Sequence, residues 1–170
     1  MKFGVAIFPS KKLQDLANSY RKRYEPHYAL ISPHLTLKGP FEASDAQMKD
    51  ITDRLAQIAS SSKPFSLQVL KVSSFKPVNN VIYFKINPTE ELIQLHQQLH
   101  TDLIGDKPEF SFVPHITIGQ ELSDDEHSDV YGSMRMMKME HEEIVDRFHL
   151  LYQLENESWT VYETFRFGKE

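Results

Sequence analysis

Pro33-His34-Leu35-Thr36-Leu37 is written a second time in this chain, as Pro114-His115-Ile116-Thr117-Ile118, with the same residue types in the same order. Side chains alternate between the two faces of a strand. His34 and Thr36 therefore share one face and Leu35 and Leu37 the other, and His115 with Thr117, and Ile116 with Ile118, divide in the same way. Each copy offers an imidazole and a hydroxyl on one side and anchors itself by two apolar residues on the other. The first motif strand is expected over residues 34–38, stopped by Gly39-Pro40, with Lys38 on the face of His34 and Thr36.

The surroundings of the motif repeat as well. Phe3 to Phe8 reads as a buried strand ended by Pro9, and Ser10 caps a helix carrying Leu13, Leu16, Ala17, Tyr20 and Tyr24 at helical spacing. Arg21-Lys22-Arg23 near the end of that helix suits its dipole. In the second half, Val81 to Ile86 is a strand and Asn87-Pro88-Thr89-Glu90 opens a helix lined by Leu92, Leu95, Leu99 and Leu103. Gly105-Asp106-Lys107-Pro108 then breaks it, and Phe110 to Val113 leads into His115. Pro9 precedes Pro33 by about the distance at which Pro88 precedes Pro114, which reads as an internal duplication.

Between and after the two units, Ser44-Asp45-Ala46-Gln47 has capping-box form ahead of Met48, Ile51, Leu55 and Ile58. A half-buried strand runs from Phe65 towards Phe75. Ser123-Asp124-Asp125-Glu126 is a further capping box, but little apolar periodicity follows, so a short or irregular helix is expected. Met134 to Met139 reads as a joint, and Ile144 to Leu154 with Trp159 to Phe167 as a hairpin around Asn156-Glu157-Ser158. The fold expected is α+β and bilobal: two pseudo-two-fold-related lobes with antiparallel sheets lining a central cleft and helices outside, as one domain over residues 1–170.

Composition narrows the function. The 170 residues contain no cysteine, which excludes disulfides and thiolate nucleophiles or metal sites. With no signal-peptide pattern and no apolar run near membrane-spanning length, a cytoplasmic protein away from membranes is expected. A formal charge of −5 argues against binding duplex DNA, while a small anion held by a few local groups fits. Two histidines facing each other across a cleft suit general acid–base chemistry near neutral pH, one taking a proton from water and the other protonating a departing oxygen. A phosphodiester matches, because its attacking and leaving oxygens lie on opposite sides of phosphorus. Thr36 and Thr117 are then placed to donate to the non-bridging oxygens, and Lys38 is the charged candidate beside a motif.

The doublet resembles the signature of the two-histidine (2H) phosphoesterase superfamily, His-x-Thr/Ser-x twice with hydrophobic x, at His34 to Leu37 and His115 to Ile118. That superfamily includes the RNA 2′,5′-ligase-like proteins and the 2′,3′-cyclic nucleotide phosphodiesterases. The opening strand, the tail Leu35 to Phe41 and the size look most like its small bacterial YjcG-like branch. The resemblance implies metal-independent hydrolysis or transfer at a cyclic or 2′,5′ phosphodiester of a small nucleotide or RNA end, with no cofactor. It also implies His34 as proton donor and His115 as proton acceptor. Many RNA-processing relatives carry an arginine shortly after the second motif. Here Gly119-Gln120 follows, removing a bidentate phosphate contact and weighing against a large RNA.

Two other functions fit the same residues: a non-catalytic RNA or nucleotide-binding module using the cleft, and a metal-dependent hydrolase with His34 and His115 as ligands. His96 and His100 have zinc-helix spacing, but Gln97 stands where a metalloprotease helix has glutamate, and solvated helix histidines are the simpler expectation. His27, His127, His141 and His149 are expected in loops or exposed positions. The methionines at 134, 136, 137 and 139 are expected to fill a gap between lobes. Phe8, Tyr83 and Tyr152 are candidates for base stacking on the same footing as core packing.

Overall fold

The apolar alternation of Phe3, Val5 and Ile7 forms β1 (Lys2–Ile7), the strand around which the first sheet is built; all three side chains are buried. The computed structural model describes residues 1–101 and 112–168, so the expectations for Leu103, the break at Gly105 to Pro108 and Phe110 lie outside the described residues. The chain continues through α1 (Lys11–Tyr24), β2 (Leu35–Glu42), α2 (Asp45–Ser60), β3 (Phe65–Ser74) and β4 (Ile82–Ile86). After α3 (Glu90–Thr101) come β5 (His115–Gly119), α4 (Asp124–Met134), β6 (His141–Val145), β7 (Arg147–Gln153) and β8 (Trp159–Arg166). Two antiparallel four-stranded sheets result, in the orders β2-β1-β7-β8 and β5-β4-β3-β6. The architecture is the expected bilobal α+β. Among the described residues no helix is long and apolar enough to cross a membrane.

Each motif strand forms a sheet edge, beside the strand that precedes it through one helix. The helices cross over: α1 packs on β5 and α3 on β2, so each lobe's helix supports the other lobe's motif. Ser44 and Ser123 complete the expected capping boxes with Gln47 and Glu126, and Ser10 accepts from the Leu13 amide. The Glu143 carboxylate on β6 accepts from both the amide and the hydroxyl of Ser10 at 2.8 Å, tying the start of α1 to the second sheet. A single apolar cluster runs from Phe3 and Ile7 through Leu35, Leu37 and Leu55 to Phe84, Leu92 and Ile116.

Register shows something period-2 reasoning does not. In β2, Thr36 pairs with Ala6 and Lys38 with Val5, leaving Leu37 unpaired; in β5, Thr117 pairs with Tyr83 and Gly119 with Ile82, leaving Ile118 unpaired. Both motifs thus end in a β-bulge at the same position. A bulge puts the next side chain on the face it would otherwise miss. Lys38 and Gly119 accordingly stand beside Val5 and Ile82, residues of the buried face.

Four expectations are corrected. The hairpin's first strand does not begin at Ile144: Asp146 interrupts the chain, β6 pairs with β3 in the second sheet, and β7 pairs with β1 and β8 in the first. The apolar pattern continues across Asp146, which is why the two strands read as one. The helix after Ser123 is regular over eleven residues. Its inner face carries buried His127 and Met134 with partly buried Val130 and Tyr131, so counting His127 as polar hides the period. His127 is 2% exposed, its Nε2 2.6 Å from the Ser74 hydroxyl, while His141 and His149 lie half-buried in β6 and β7. His96 likewise joins Leu92, Leu95 and Leu99 on a buried stripe, its ring stacked on Phe112 at 3.9 Å.

Burial, the neighbouring His100 and the Lys38 charge together push the His96 imidazole down to about 4. A proton on His96 therefore favours the unfolded chain, where an imidazole titrates near 6.5. Its contribution is fully present above that value and is lost as pH falls towards 4. We expect stability to drop over this window by about 2–3 kcal/mol more in wild type than in His96→Phe, which keeps the stack without the titration. Urea unfolding at pH 7 and pH 4.5 measures the difference; an equal drop in both proteins would refute it.

Candidate active site

His34 stands immediately before β2 and His115 opens β5, and both rings are half-buried. The two imidazoles are held alike. His34 Nδ1 lies 2.8 Å from the Ser32 carbonyl oxygen, and His115 Nδ1 lies 2.6 Å from the Val113 carbonyl oxygen, each two residues upstream. A carbonyl can only accept, so each Nδ1 carries the proton and donates it, leaving Nε2 as the working nitrogen. His115 is further braced edge-on by Phe75 and Tyr83, with ring centroids 5.0 and 5.2 Å away.

Burial pushes both histidines below the usual imidazole value, against the carbonyl bonds, which raise it. For His34, the Arg21 and His115 charges lower it further and Glu25 raises it. The felt charge of His115 means that the two rings lie within electrostatic range of each other.

A cleft of about 550 Å³ is lined by His34, Thr36, Thr117, Arg21, Glu25 and Gln120, with Gly4 and Ala6 of β1 also in its wall. It therefore gathers four of the five residues expected from the motifs at its surface, counting Lys38, which also lines it; His115 itself is not among the lining residues, although Thr117 beside it is. The side chain of Lys38 does not share the face of His34 and Thr36. The bulge at Leu37 turns it inward: it is 4% exposed, its Nζ lies 5.8 Å from the Phe41 ring centroid, and its charge is felt by His96 and His100 on α3.

Residues that the motifs do not mark complete the site. Arg21, expected as a helix-end cation suited to the dipole, is 2% exposed; it donates to Asn18 Oδ1 and the Ile31 carbonyl, both at 2.7 Å, and lies 5.6 Å from the Tyr28 ring centroid. Its signal was its place four residues after buried Ala17. Glu25, the residue following α1, is 6% exposed and accepts from the Gln120 amide nitrogen at 2.8 Å on each oxygen. Gly119 allows this. A Cβ there would sit 3.0 Å from Tyr24 Cβ, and the next amide, of Gln120, donates to the Tyr24 carbonyl at 3.0 Å. Trp159 and Gln153, paired across β7 and β8, also line the cleft. Of the stacking candidates, Tyr83 is buried against Phe75, and Phe8 and Tyr152 are partly buried outside the cleft lining. Among the described residues no three His, Asp or Glu side chains converge as metal ligands would.

Comparison with known proteins bears on this geometry. The profile of the 2′-5′ RNA ligase superfamily matches residues 8–157. A Bacillus licheniformis protein named "Putative phosphoesterase" is 60% identical over 168 residues, 99% of each chain, and one of the same name from Bacillus pumilus is 59% identical over 170 residues, covering 100% of this chain and 99% of that one. Among solved structures, TT0787 of Thermus thermophilus superposes with a TM-score of 0.75 at 19% identity, covering 100% of both chains. Escherichia coli LigT complexed with 3′-AMP superposes with a TM-score of 0.74 at 17% identity, over 99% of this chain and 98% of that one.

Proposed function

The chain belongs to the 2′-5′ RNA ligase superfamily, the two-histidine phosphoesterases, and on that premise we propose that it hydrolyses, or transfers at, a cyclic or 2′,5′ phosphodiester of a nucleotide or RNA end by metal-independent acid–base catalysis. The observation that carries the proposal is the matched pair of Nδ1–carbonyl bonds. They leave one Nε2 in each motif free to exchange a proton with substrate, as a mechanism with two opposed proton transfers requires.

In this reading His115 Nε2 takes a proton from water as the water oxygen attacks phosphorus. His34 Nε2 delivers a proton to the ribose oxygen as its bond to phosphorus breaks. One proton enters the pair and one leaves it, so the net product is the hydrolysed ester. The Thr36 and Thr117 hydroxyls donate to the non-bridging oxygens, where negative charge grows. His34 is the donor by its place in the first motif. An arriving phosphate raises the pKa of both rings, supplying in the complex the proton that burial withholds in the free protein. Residues 1–170 act as one bilobal domain, each lobe supplying one motif.

The test is turnover of 2′,3′-cyclic nucleotides and 2′,5′-linked dinucleotides measured with and without chelator. Activity that persists supports the proposal. Activity that chelation removes would point to a metal-dependent hydrolase, and nucleotide binding without turnover to a binding module.

A further inference from the structure

We propose that Gln120, held by the buried carboxylate of Glu25, is the specificity residue of the cleft, and that it selects a neutral group bearing an N–H or O–H donor, so that the substrate is a mononucleotide-sized ester with one phosphate and not the end of an RNA strand. The inference rests on the reading that His34 and His115 act on a phosphodiester in the same cleft.

The chemistry begins at Glu25. Its carboxylate is buried and accepts from the His27 amide at 2.9 Å and from Gln120 Nε2 at 2.8 Å to each oxygen. An ionised carboxylate only accepts, so it dictates which end of the Gln120 amide faces it. The same nitrogen lies 3.0 Å from His27 Nδ1, so both N–H groups of Gln120 are engaged within the protein. Its oxygen receives no hydrogen bond from the described residues. Gln120 lines the cleft, and with its nitrogen tied back, Oε1 is the atom left for a ligand. An amide oxygen beside a carboxylate accepts a donor and repels a phosphate.

The charge around the cleft agrees. Strand-binding grooves for single-stranded RNA are positively charged along the backbone path. Here Arg21 and Lys38 stand against Glu25 and Glu157. Arg21 already donates to Asn18 and the Ile31 carbonyl, and the Lys38 ammonium is turned towards Phe41. Room for the neutral part of a substrate is provided differently. Gly4 and Ala6 project little from the floor, and the Trp159 indole approaches to 3.8 Å from where a Gly4 side chain would begin. About 550 Å³ falls within the range of sites that enclose one small molecule.

The test compares kcat/KM for adenosine 2′,3′-cyclic phosphate and for a tetranucleotide RNA ending in a 2′,3′-cyclic phosphate, in wild type, Gln120→Arg and Gln120→Met. Wild type is expected to prefer the mononucleotide at least tenfold. Gln120→Arg, which pairs with Glu25 and brings a guanidinium to the cleft, should shift that ratio towards the RNA about tenfold or more. Gln120→Met keeps the length but loses both the acceptor and the donor to Glu25; it should raise KM for the mononucleotide several-fold with kcat nearly unchanged. Damage to the fold lowers both substrates together, so the ratio separates selection from structure. Equal use of both substrates by wild type, or a ratio unmoved by Gln120→Arg, overturns the inference while leaving the phosphodiester reading standing. No turnover of either substrate by wild type overturns both.

Discussion

His115→Ala is expected to lower kcat/KM on a cyclic phosphodiester by about 10³-fold, and His34→Ala by a similar factor, since each removes one of two proton transfers worth about 10²–10⁴. The double variant should be little worse than either single one, because a displacement that has lost its acid gains little from keeping its base. Removing the His115 ring also unbraces Phe75 and Tyr83, so circular dichroism and thermal unfolding must show each variant folded before its rate is interpreted. Wild-type rates retained in either folded variant would end the acid–base proposal.

The same pair sets an expected pH profile. Burial holds both imidazoles below 6.5 in the free protein. The active form of the pair holds one proton, so kcat/KM should peak between two apparent values that both lie below 6.5 and belong to the pair. Above that peak the rate should fall as the single proton is lost, about tenfold per pH unit at its steepest. Measurement from pH 4.5 to 8.5 checks this, and a rate still rising at pH 8 would contradict it.

The second large effect is expected at the hydroxyls. Thr36→Val and Thr117→Val should each lower kcat about 10²-fold, the usual consequence of losing one donor to a transition-state oxyanion. Valine matches threonine in shape and suits a strand, so any loss reports the hydroxyl and not the packing. Thr36 is exposed and Thr117 half-buried, and neither hydroxyl has a hydrogen bond within the described residues, which leaves both for a ligand. Unfolding temperatures should barely move. If kcat also stayed constant while only KM rose, the threonines would bind phosphate without stabilising the transition state.

Much of the architecture was legible in the pattern of residues. The doubled motif, the three serine caps and the apolar runs led to a bilobal α+β fold. The misreadings share one cause. His96, His127 and Arg21 each occupy a position on an apolar stripe, yet their polar types point to a solvated helix, an exposed position and a helix-end dipole contact. Spacing was the better guide than type. A single-chain pattern also carried Ile144 and Val145 smoothly into Phe148, although the strands on either side of Asp146 belong to different sheets.

Local order in the chain determined which side chains a motif offers: alternation places His34 with Thr36 and His115 with Thr117, because a strand's period is a property of its own backbone. Tertiary structure decided what those side chains meet. The unpaired Leu37 and Ile118 exist only against partner strands, and the first of these bulges turns Lys38 away from the face that alternation assigns it. The union of Glu25 with Gln120 joins residues 95 positions apart, and it forms because α1 of one lobe is pressed onto β5 of the other at a glycine that leaves no side chain between them. Pairing across such a distance depends on how two lobes dock, and no periodicity along the chain encodes that.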